Sequence, residues 1–187
     1  MPCTDFRFPP VYLLSRFAIA IHSRLSERSC PFSKMNEMKT GSVNTVMIRE
    51  LQKADINKVA DIWLNTNIKA HSFIPAQYWK DNFELVKELL LQAEVYIYED
   101  NREIQGFIGL NGEYIEGIFV SDEYQSQGIG ARLLNYIKNN RDKLSLSVYQ
   151  KNSRAISFYQ REEFEIRRED LEEATGEKEY VMTWQPK

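Results

Sequence analysis

The chain of 187 residues is poor in the side chains that build disulfides, thiol sites and zinc sites. Its two cysteines are Cys3 and Cys30, and its two histidines are His22 and His71. Residues 47–187 therefore contain no cysteine and a single histidine, which argues against a disulfide framework, a thiol nucleophile or a cysteine–histidine zinc site there. The sequence also lacks any run of eighteen apolar residues, so it predicts no transmembrane helix.

Charge divides the chain into two parts. Residues 1–46 hold six basic and three acidic residues, a net charge of +3, and because the whole chain carries −3, residues 47–187 carry −6. An acidic domain does not favour binding to nucleic acid, and it is compatible with a cationic acceptor such as an amine. The composition, 43% hydrophobic and 27% charged, is ordinary for a soluble protein, and the length suits one domain.

Residues 1–46 are predicted to lie outside that domain. They mix proline, apolar and basic residues without periodicity, and Arg16 interrupts the apolar stretch 11–21, which no small-residue cleavage site follows. We favour a disordered or loosely helical extension, with a targeting segment and a specific interaction arm as alternatives. The sequence is therefore divided into an extension, 1–46, and a domain, 47–187.

The domain shows alternating strand and helix patterns. Strands are predicted at 46–50, 94–98, 103–110, 113–120, 144–150, 164–168 and 178–184, and helices at 54–68, 78–91, 128–139 and 152–162. Asn111 and Gly112 are predicted to form a two-residue hairpin turn with positive φ at both positions. This order predicts an α+β fold with antiparallel hairpins around one βαβ-like crossover.

The most informative stretch is the glycine turn from Gln125 to Gly130, which joins a strand ending at Val120 to a helical pattern. The unpaired N–H groups at a helix start, together with the helix dipole, favour a phosphate there. Glycine lets that phosphate approach the backbone closely. A tight connection without a ligand is the alternative. A P-loop fits poorly, because Ala131 and Arg132 stand where it needs lysine and serine or threonine.

A second pattern begins at Asn152, a candidate helix N-cap. The residues that follow it at motif spacing are Ala155, Phe158, Tyr159 and Phe164. Together with Gln125, Gly128 and Gly130, this pattern resembles the two motifs of the GNAT superfamily of N-acetyltransferases, and in particular its small single-domain bacterial members.

Those family motifs are Gln/Arg-x-x-Gly-x-Gly/Ala and Asn-x-x-Ala-x-x-Phe-Tyr-x-x-x-Gly-Phe. The resemblance covers about residues 47–184. One departure is visible, because Glu163 stands where the family has glycine before the last phenylalanine. If that position needs a positive φ, the glutamate is strained.

The resemblance implies a GNAT-like fold: a mixed, mostly antiparallel sheet of six to seven strands, flanked by about four helices and splayed between its two central parallel strands. It implies direct transfer of the acetyl group of acetyl-coenzyme A, a co-substrate used without a metal, to a primary amine of a small molecule, peptide or protein. A non-catalytic module that senses acyl-coenzyme A is the alternative. We expect a cytoplasmic monomer or homodimer that binds neither membrane nor nucleic acid.

The resemblance also implies the cofactor site. The pyrophosphate is expected on the N–H groups from Ser126 to Ala131, and the pantetheine arm along the edge of the strand 114–120, as an added strand. Asn152 is expected to bond the pantetheine, although it can equally serve only as a cap. The expected cofactor-binding residues are Ile118, Phe119, Val120, Gln125, Ser126, Gln127, Gly128, Ile129, Gly130, Ala131, Asn152 and Phe158.

Two residues are expected to carry the chemistry. Tyr159, a phenol of pKa about 10, can donate a proton to the departing thiolate of coenzyme A. Glu116 is the candidate base that takes a proton from the amine, acting through water. The alternatives are a buried core tyrosine and a solvated strand glutamate, because the apolar alternation from 115 to 120 is imperfect.

The loop between the first two predicted helices is where the resembled family shapes its acceptor site. We expect His71, Phe73 and Tyr78 to bind the acceptor, and ordinary packing beneath a loop is the alternative.

Overall fold

The computed structural model describes residues 46–187, so the expectation for residues 1–45 lies outside the described part of the chain. The strands are β1 Val46–Glu50, β2 Glu94–Asp100, β3 Glu103–Asn111, β4 Tyr114–Val120, β5 Leu144–Tyr149, β6 Glu165–Glu172 and β7 Glu177–Trp184. The α-helices are α1 Ile56–Ala70, α2 Ala76–Asp81, α3 Phe83–Leu90, α4 Ile129–Lys138 and α5 Ser153–Arg161. None of the helices within 46–187 has both the length and the apolar character needed to cross a membrane.

The seven strands form one sheet in the order β1-β2-β3-β4-β5-β7-β6. Every neighbouring pair is antiparallel except β4 and β5 at the centre, which are parallel. These two strands are paired only at Tyr114 and Ser145, where the Ser145 N–H donates to the Glu113 carbonyl over 2.9 Å. Beyond that point they diverge, so a gap opens toward their carboxyl ends. The predicted fold class, with its central splay, is confirmed.

Apolar side chains pack on both faces of the sheet. On one face, α1, α2 and α3 cover a core that includes Val59, Trp63, Leu90, Ile97 and Phe107. On the other face, α4 and α5 cover a core that includes Leu133, Leu134, Leu144, Leu146 and Met182. Because both faces are packed, the ends of β4 and β5 are held on a rigid platform.

Strand β4 contains a β-bulge at Glu116. Gly109 pairs with Gly117 while Leu110 pairs with Ile115, so Glu116 is the extra residue on β4. Ile115 and Ile118 both pack on the α4 face, so the alternation of side chains is shifted by one residue between them. The bulge is the physical reason for the imperfect apolar alternation in this strand.

Two details of the predicted elements are wrong. The single helix expected at 78–91 is two helices, because Asn82 interrupts it and its Nδ2 donates to the Tyr78 carbonyl over 2.7 Å. The described residues thus form five α-helices rather than about four. The hairpin turn is centred on Gly112 and Glu113, since Asn111 already pairs with Tyr114, and Gly112 alone has a positive φ, +61°.

Helix α5 ends in a Schellman motif around Glu163. The Phe164 N–H donates to the Tyr159 carbonyl over 2.9 Å, and the Glu163 N–H donates to the Gln160 carbonyl over 3.1 Å. The motif requires the left-handed conformation, and Glu163 adopts φ +67°. The glutamate is therefore strained, as the comparison with the family motif suggested.

Candidate active site

A cavity of about 810 Å³ lies where β4 and β5 diverge. Its walls come from the end of β4, the glycine turn with the start of α4, the loop and helix after β5, and the end of α1. Most of the sequence-predicted cofactor residues meet here, together with Tyr159. Those lining the cavity are Ile118, Val120, Gln125, Ser126, Gly128, Ile129, Gly130, Ala131, Asn152 and Phe158.

The glycine turn has the backbone geometry of an anion site. Ser126 and Gly128 both adopt positive φ, +64° and +83°, and Gly128 is the N-cap of α4. The Arg132 N–H is the first to bond back, to the Gly128 carbonyl over 3.0 Å, so the N–H groups of residues 129–131 precede the helical ladder. A Cβ built on Gly128 would meet no atom within 4 Å, which leaves the approach to these donors open.

The side chain of Gln125 stabilises this turn by hydrogen bonds to residues on both sides of it. Its Nε2 donates to the Val120 carbonyl over 3.0 Å and to Asp122 Oδ1 over 2.9 Å. Its Oε1 accepts from the Arg154 guanidinium over 2.8 Å, and the same guanidinium contacts Ser126 Oγ at 3.2 Å. The side chain of Gln125 therefore shapes the turn, and Arg154 brings a positive charge to its rim.

Arg154 is a site residue that the sequence argument missed. It lies in the first turn of α5, between Asn152 and Ala155, and it lines the cavity. Its place inside the second motif was the available signal, because a side chain in that first turn can reach a neighbouring helix start.

The side chain of Asn152 has two hydrogen-bonding partners. Its Oδ1 accepts from the Ala155 N–H over 3.1 Å, which makes it the N-cap of α5 as predicted. Its Nδ2 lies 3.2 Å from Nε2 of His71. The residue thus joins the cavity wall to the loop that follows α1.

Tyr159 is buried in α5 and lines the cavity. Its ring packs edge-on against Phe158 and Phe164, with centroid distances of 5.1 and 5.5 Å. Burial raises the pKa of Tyr159 above its ordinary value, and nearby Tyr114 raises it further. The phenol is therefore neutral and able to donate a proton throughout the neutral pH range.

Among the predicted cofactor-binding and catalytic residues, three do not line the cavity. Phe119 stacks on Phe107 in the core, with centroids 4.8 Å apart. Gln127 is exposed, and its Nε2 donates to the Glu123 carbonyl over 3.2 Å. Glu116 lies at the bulge of β4 and is not among the residues that line the cavity.

The expected acceptor residues form an aromatic cluster beside the cavity rather than its wall. The His71 ring lies 5.1 Å from Tyr149, 5.4 Å from Trp79 and 5.7 Å from Phe73, measured between centroids. Tyr78 packs edge-on against Trp79 at 5.2 Å. Burial lowers the pKa of His71 from 6.5 to about 4, so its imidazole is neutral at pH 7.

Comparison with known proteins agrees with this geometry. The sequence matches the acetyltransferase (GNAT) domain family over residues 92–166. It is 33% identical over 140 residues to peptidyl-lysine N-acetyltransferase YiaC of Escherichia coli (strain K12), a match that covers 74% of this chain and 96% of that protein.

Two solved structures share the fold. The solution structure of apo-form YjaB from Escherichia coli has a TM-score of 0.68 at 20% identity and covers 75% of this chain and 97% of its own. The crystal structure of PaiA N-acetyltransferase from Thermoplasma acidophilum in complex with coenzyme A has a TM-score of 0.67 at 19% identity. The match covers 76% of this chain and 99% of that chain.

The splayed sheet, the glycine turn and the adjoining cavity define an acyltransferase of the acetyl-coenzyme A type. The chain belongs to the GNAT family of N-acetyltransferases. It is therefore an acetyl-coenzyme A-dependent N-acetyltransferase.

Proposed function

We propose that this enzyme acetylates the side-chain amine of lysine in peptides or proteins. The observation that carries the proposal is the cavity at the divergence of β4 and β5, where the glycine turn, Asn152 and Tyr159 meet. The names of similar proteins support lysine as the acceptor. YiaC and two YjaB proteins are named peptidyl-lysine N-acetyltransferases. The net charge of −6 on residues 47–187 suits a cationic acceptor.

The residues around the cavity fit acetyl-coenzyme A. The open N–H groups at the start of α4, with Arg154 beside them, suit the pyrophosphate. Beyond Tyr114, β4 has no ladder pairing with β5, so its edge near Ile118 and Val120 can pair with the amides of the pantetheine arm. A volume of about 810 Å³ is in the range of ligand sites.

Tyr159 is proposed as the general acid. Acetyl-coenzyme A supplies an acetyl thioester, whose carbon–sulfur bond breaks as the amine nitrogen bonds to the acetyl carbon. The Tyr159 hydroxyl donates its proton to the sulfur, so the thiol leaves uncharged. Its raised pKa keeps the hydroxyl protonated at neutral pH, so the proton is present when the carbon–sulfur bond breaks.

The amine must lose a proton as well, since lysine with a pKa of about 10.4 is mostly protonated at neutral pH. Glu116 is proposed as the base, acting through water. The bulge supports this role, because bulges re-aim a side chain and Glu116 is the extra residue of the strand that borders the cavity. His71, Phe73 and Tyr78 are proposed to border the acceptor.

We further propose that residues 47–187 form the complete catalytic domain, that 1–46 are dispensable, and that the enzyme works in the cytoplasm as a monomer or homodimer. The absence of cysteine from 47–187 supports the location, since the domain needs no oxidising compartment.

The experiment that tests the acceptor is a thiol-release assay with acetyl-coenzyme A. The panel contains lysine peptides, the same peptides with lysine replaced by arginine, free lysine and spermidine. We expect turnover on the lysine peptides alone, with mass spectrometry locating the acetyl group on the side-chain nitrogen. Turnover on spermidine without turnover on any lysine peptide would reject the proposed acceptor class and retain the enzyme class.

Tyr159→Phe tests the general acid. Only one oxygen is removed, so coenzyme A affinity should be retained while kcat falls by roughly 10²- to 10⁴-fold. Tyr136→Phe is the matched control, because Tyr136 is 37% exposed on α4 and its ring packs with Tyr96. An unchanged kcat in Tyr159→Phe, measured where chemistry limits the rate, removes Tyr159 from the mechanism.

A further inference from the structure

The contact between Asn152 and His71 joins two parts of the molecule that the proposed mechanism treats separately. Asn152 lines the cavity, whereas His71 belongs to the loop after α1. The His71 ring is fixed by three aromatic neighbours, and its backbone N–H caps α1 by donating to the Asn67 carbonyl over 2.9 Å. A rigid ring at this position can hold the amide of Asn152 in one orientation.

The hydrogen-bond pattern assigns the protons of this contact. Oδ1 of Asn152 accepts from a backbone N–H, that of Ala155, so the amide group facing His71 must be Nδ2, a donor. Nε2 of His71 therefore accepts, and in a neutral imidazole the single proton then lies on Nδ1. Nδ1 is buried and has no hydrogen-bond partner among residues 46–187.

That tautomer is costly, because a buried donor is left unpaired. The other tautomer would place two donors against each other at 3.2 Å. The Nδ1–H of His71 is therefore left unsatisfied in the interior, while Nε2 accepts the hydrogen bond from Asn152. Burial lowers the pKa of His71 to about 4, so that acceptor lone pair is present at neutral pH.

Asn152 has one donor hydrogen left after these contacts. An amide nitrogen carries two hydrogens, and His71 takes one of them. The second Nδ2 hydrogen is carried by a side chain that lines the cavity, beside the part of β4 that does not pair with β5. A carbonyl of an extended amide-bearing ligand is the partner that such a donor suits.

We propose that His71 is a positioning residue for the acetyl-coenzyme A site: it locks the Asn152 amide so that Oδ1 caps α5 and the second Nδ2 hydrogen meets a carbonyl of the pantetheine arm. This inference rests on the proposed cofactor site, and it gives His71 a role distinct from contact with the acceptor. The rotational freedom of Asn152 is removed before the ligand arrives, which favours binding.

The first test is the tautomer of His71 in the full-length wild-type protein at pH 7.5. Long-range ¹H–¹⁵N correlation spectra distinguish the two ring nitrogens, and the only other histidine, His22, can be assigned by His22→Gln. We expect a proton on Nδ1 and a bare Nε2. A proton on Nε2 overturns the proposal, and this result requires no variant of His71 to fold.

The second test measures coenzyme A affinity by calorimetry and KM for acetyl-coenzyme A. His71→Phe keeps an aromatic ring and removes the hydrogen-bond acceptor, and we expect about fivefold weaker coenzyme A binding and a KM for acetyl-coenzyme A raised by a similar factor. His71→Gln places an amide oxygen near the position of Nε2 and should restore affinity. Equal losses in both variants, or no loss in His71→Phe, overturn the proposal.

The third test asks whether His71 acts through Asn152. In an Asn152→Ala background, His71→Phe should cause no further loss of affinity, because the bond it removes is already gone. The same fivefold loss in both backgrounds would overturn the proposal. If the wild-type protein bound no coenzyme A, the proposed cofactor site would be wrong. The tautomer measurement would still show whether His71 accepts a hydrogen bond from Asn152.

Discussion

Buried His71 should make the domain lose stability in mild acid. The pKa of this imidazole falls from 6.5 to about 4 in the folded protein, and desolvation by burial is the cause. The unfolded chain therefore binds a proton between pH 6.5 and pH 4 that the folded chain does not bind. Stability is fully present above pH 6.5 and is lost as the pH falls toward 4.

The size of the effect follows from the two pKa values. A difference of 6.5 − 4, or about 2.5 units, at about 1.36 kcal/mol per unit gives a loss of roughly 3 kcal/mol across this window. The steepest slope is about 1.4 kcal/mol per pH unit. Since a domain of this size has an m-value of about 2 kcal/mol/M in urea, the midpoint should fall by about 1.5 M.

The assay is urea unfolding of the wild type and of His71→Gln from pH 8 to pH 4. Carboxylates contribute to both proteins, among them Asp55, whose pKa is lowered chiefly by its hydrogen bonds with Arg49. The difference between the two proteins isolates His71, because only its proton is removed by the substitution. Midpoint curves that run parallel over pH 6.5 to 4 would refute the reasoning, whatever their absolute heights.

Three further expectations concern other parts of the chain. Gly128→Val should abolish measurable coenzyme A binding while the fold survives. Gly112→Val is the control, because Gly112 also has a positive φ but does not line the cavity, and it should bind coenzyme A normally. Full affinity in Gly128→Val would contradict the proposed position of the pyrophosphate. Glu163→Gly should raise stability by about 1 kcal/mol, a Tm increase of about 3 °C, because φ +67° costs glycine nothing; no increase would show that the strain is absent. A chain beginning at Met47 should melt near the full-length temperature and bind coenzyme A, and a Tm lower by several degrees would show that the removed segment packs on the domain.

The parts of the fold that the sequence predicted well depend on local rules. Period-two alternation located β5 to within a residue, and Asn152 was recognised as a cap because its side chain bonds to a backbone only three residues away. Glu163, which stands where the resembled family has glycine, has the positive φ that such a position after a helix can require. In each case the determining contacts lie within a few positions along the chain.

The parts that were missed depend on competition or on distance. Asn82 breaks a helix that periodicity alone would continue, because its amide bonds to the preceding turn. The bond between His71 and Asn152 spans 81 positions, and the contact of Arg154 with Gln125 spans 29. No local pattern encodes such pairs, so the coupling between the loop after α1 and the cavity emerges only in three dimensions.

The divergence of β4 from β5 explains why the site lies in the middle of the sheet. β4 pairs with β3 along its length except at the bulge, and β5 pairs with β7 over six residues, yet β4 and β5 share one pair. Each side of the sheet can twist as an independent unit, and the bulge at Glu116 increases the twist of β4. The backbone groups along the diverging edge of β4 still need hydrogen-bond partners. At the margin of a sheet such an edge invites aggregation. Enclosed between two packed layers, this edge suits a narrow, extended chain that carries amides, and that is why we propose it for the pantetheine arm.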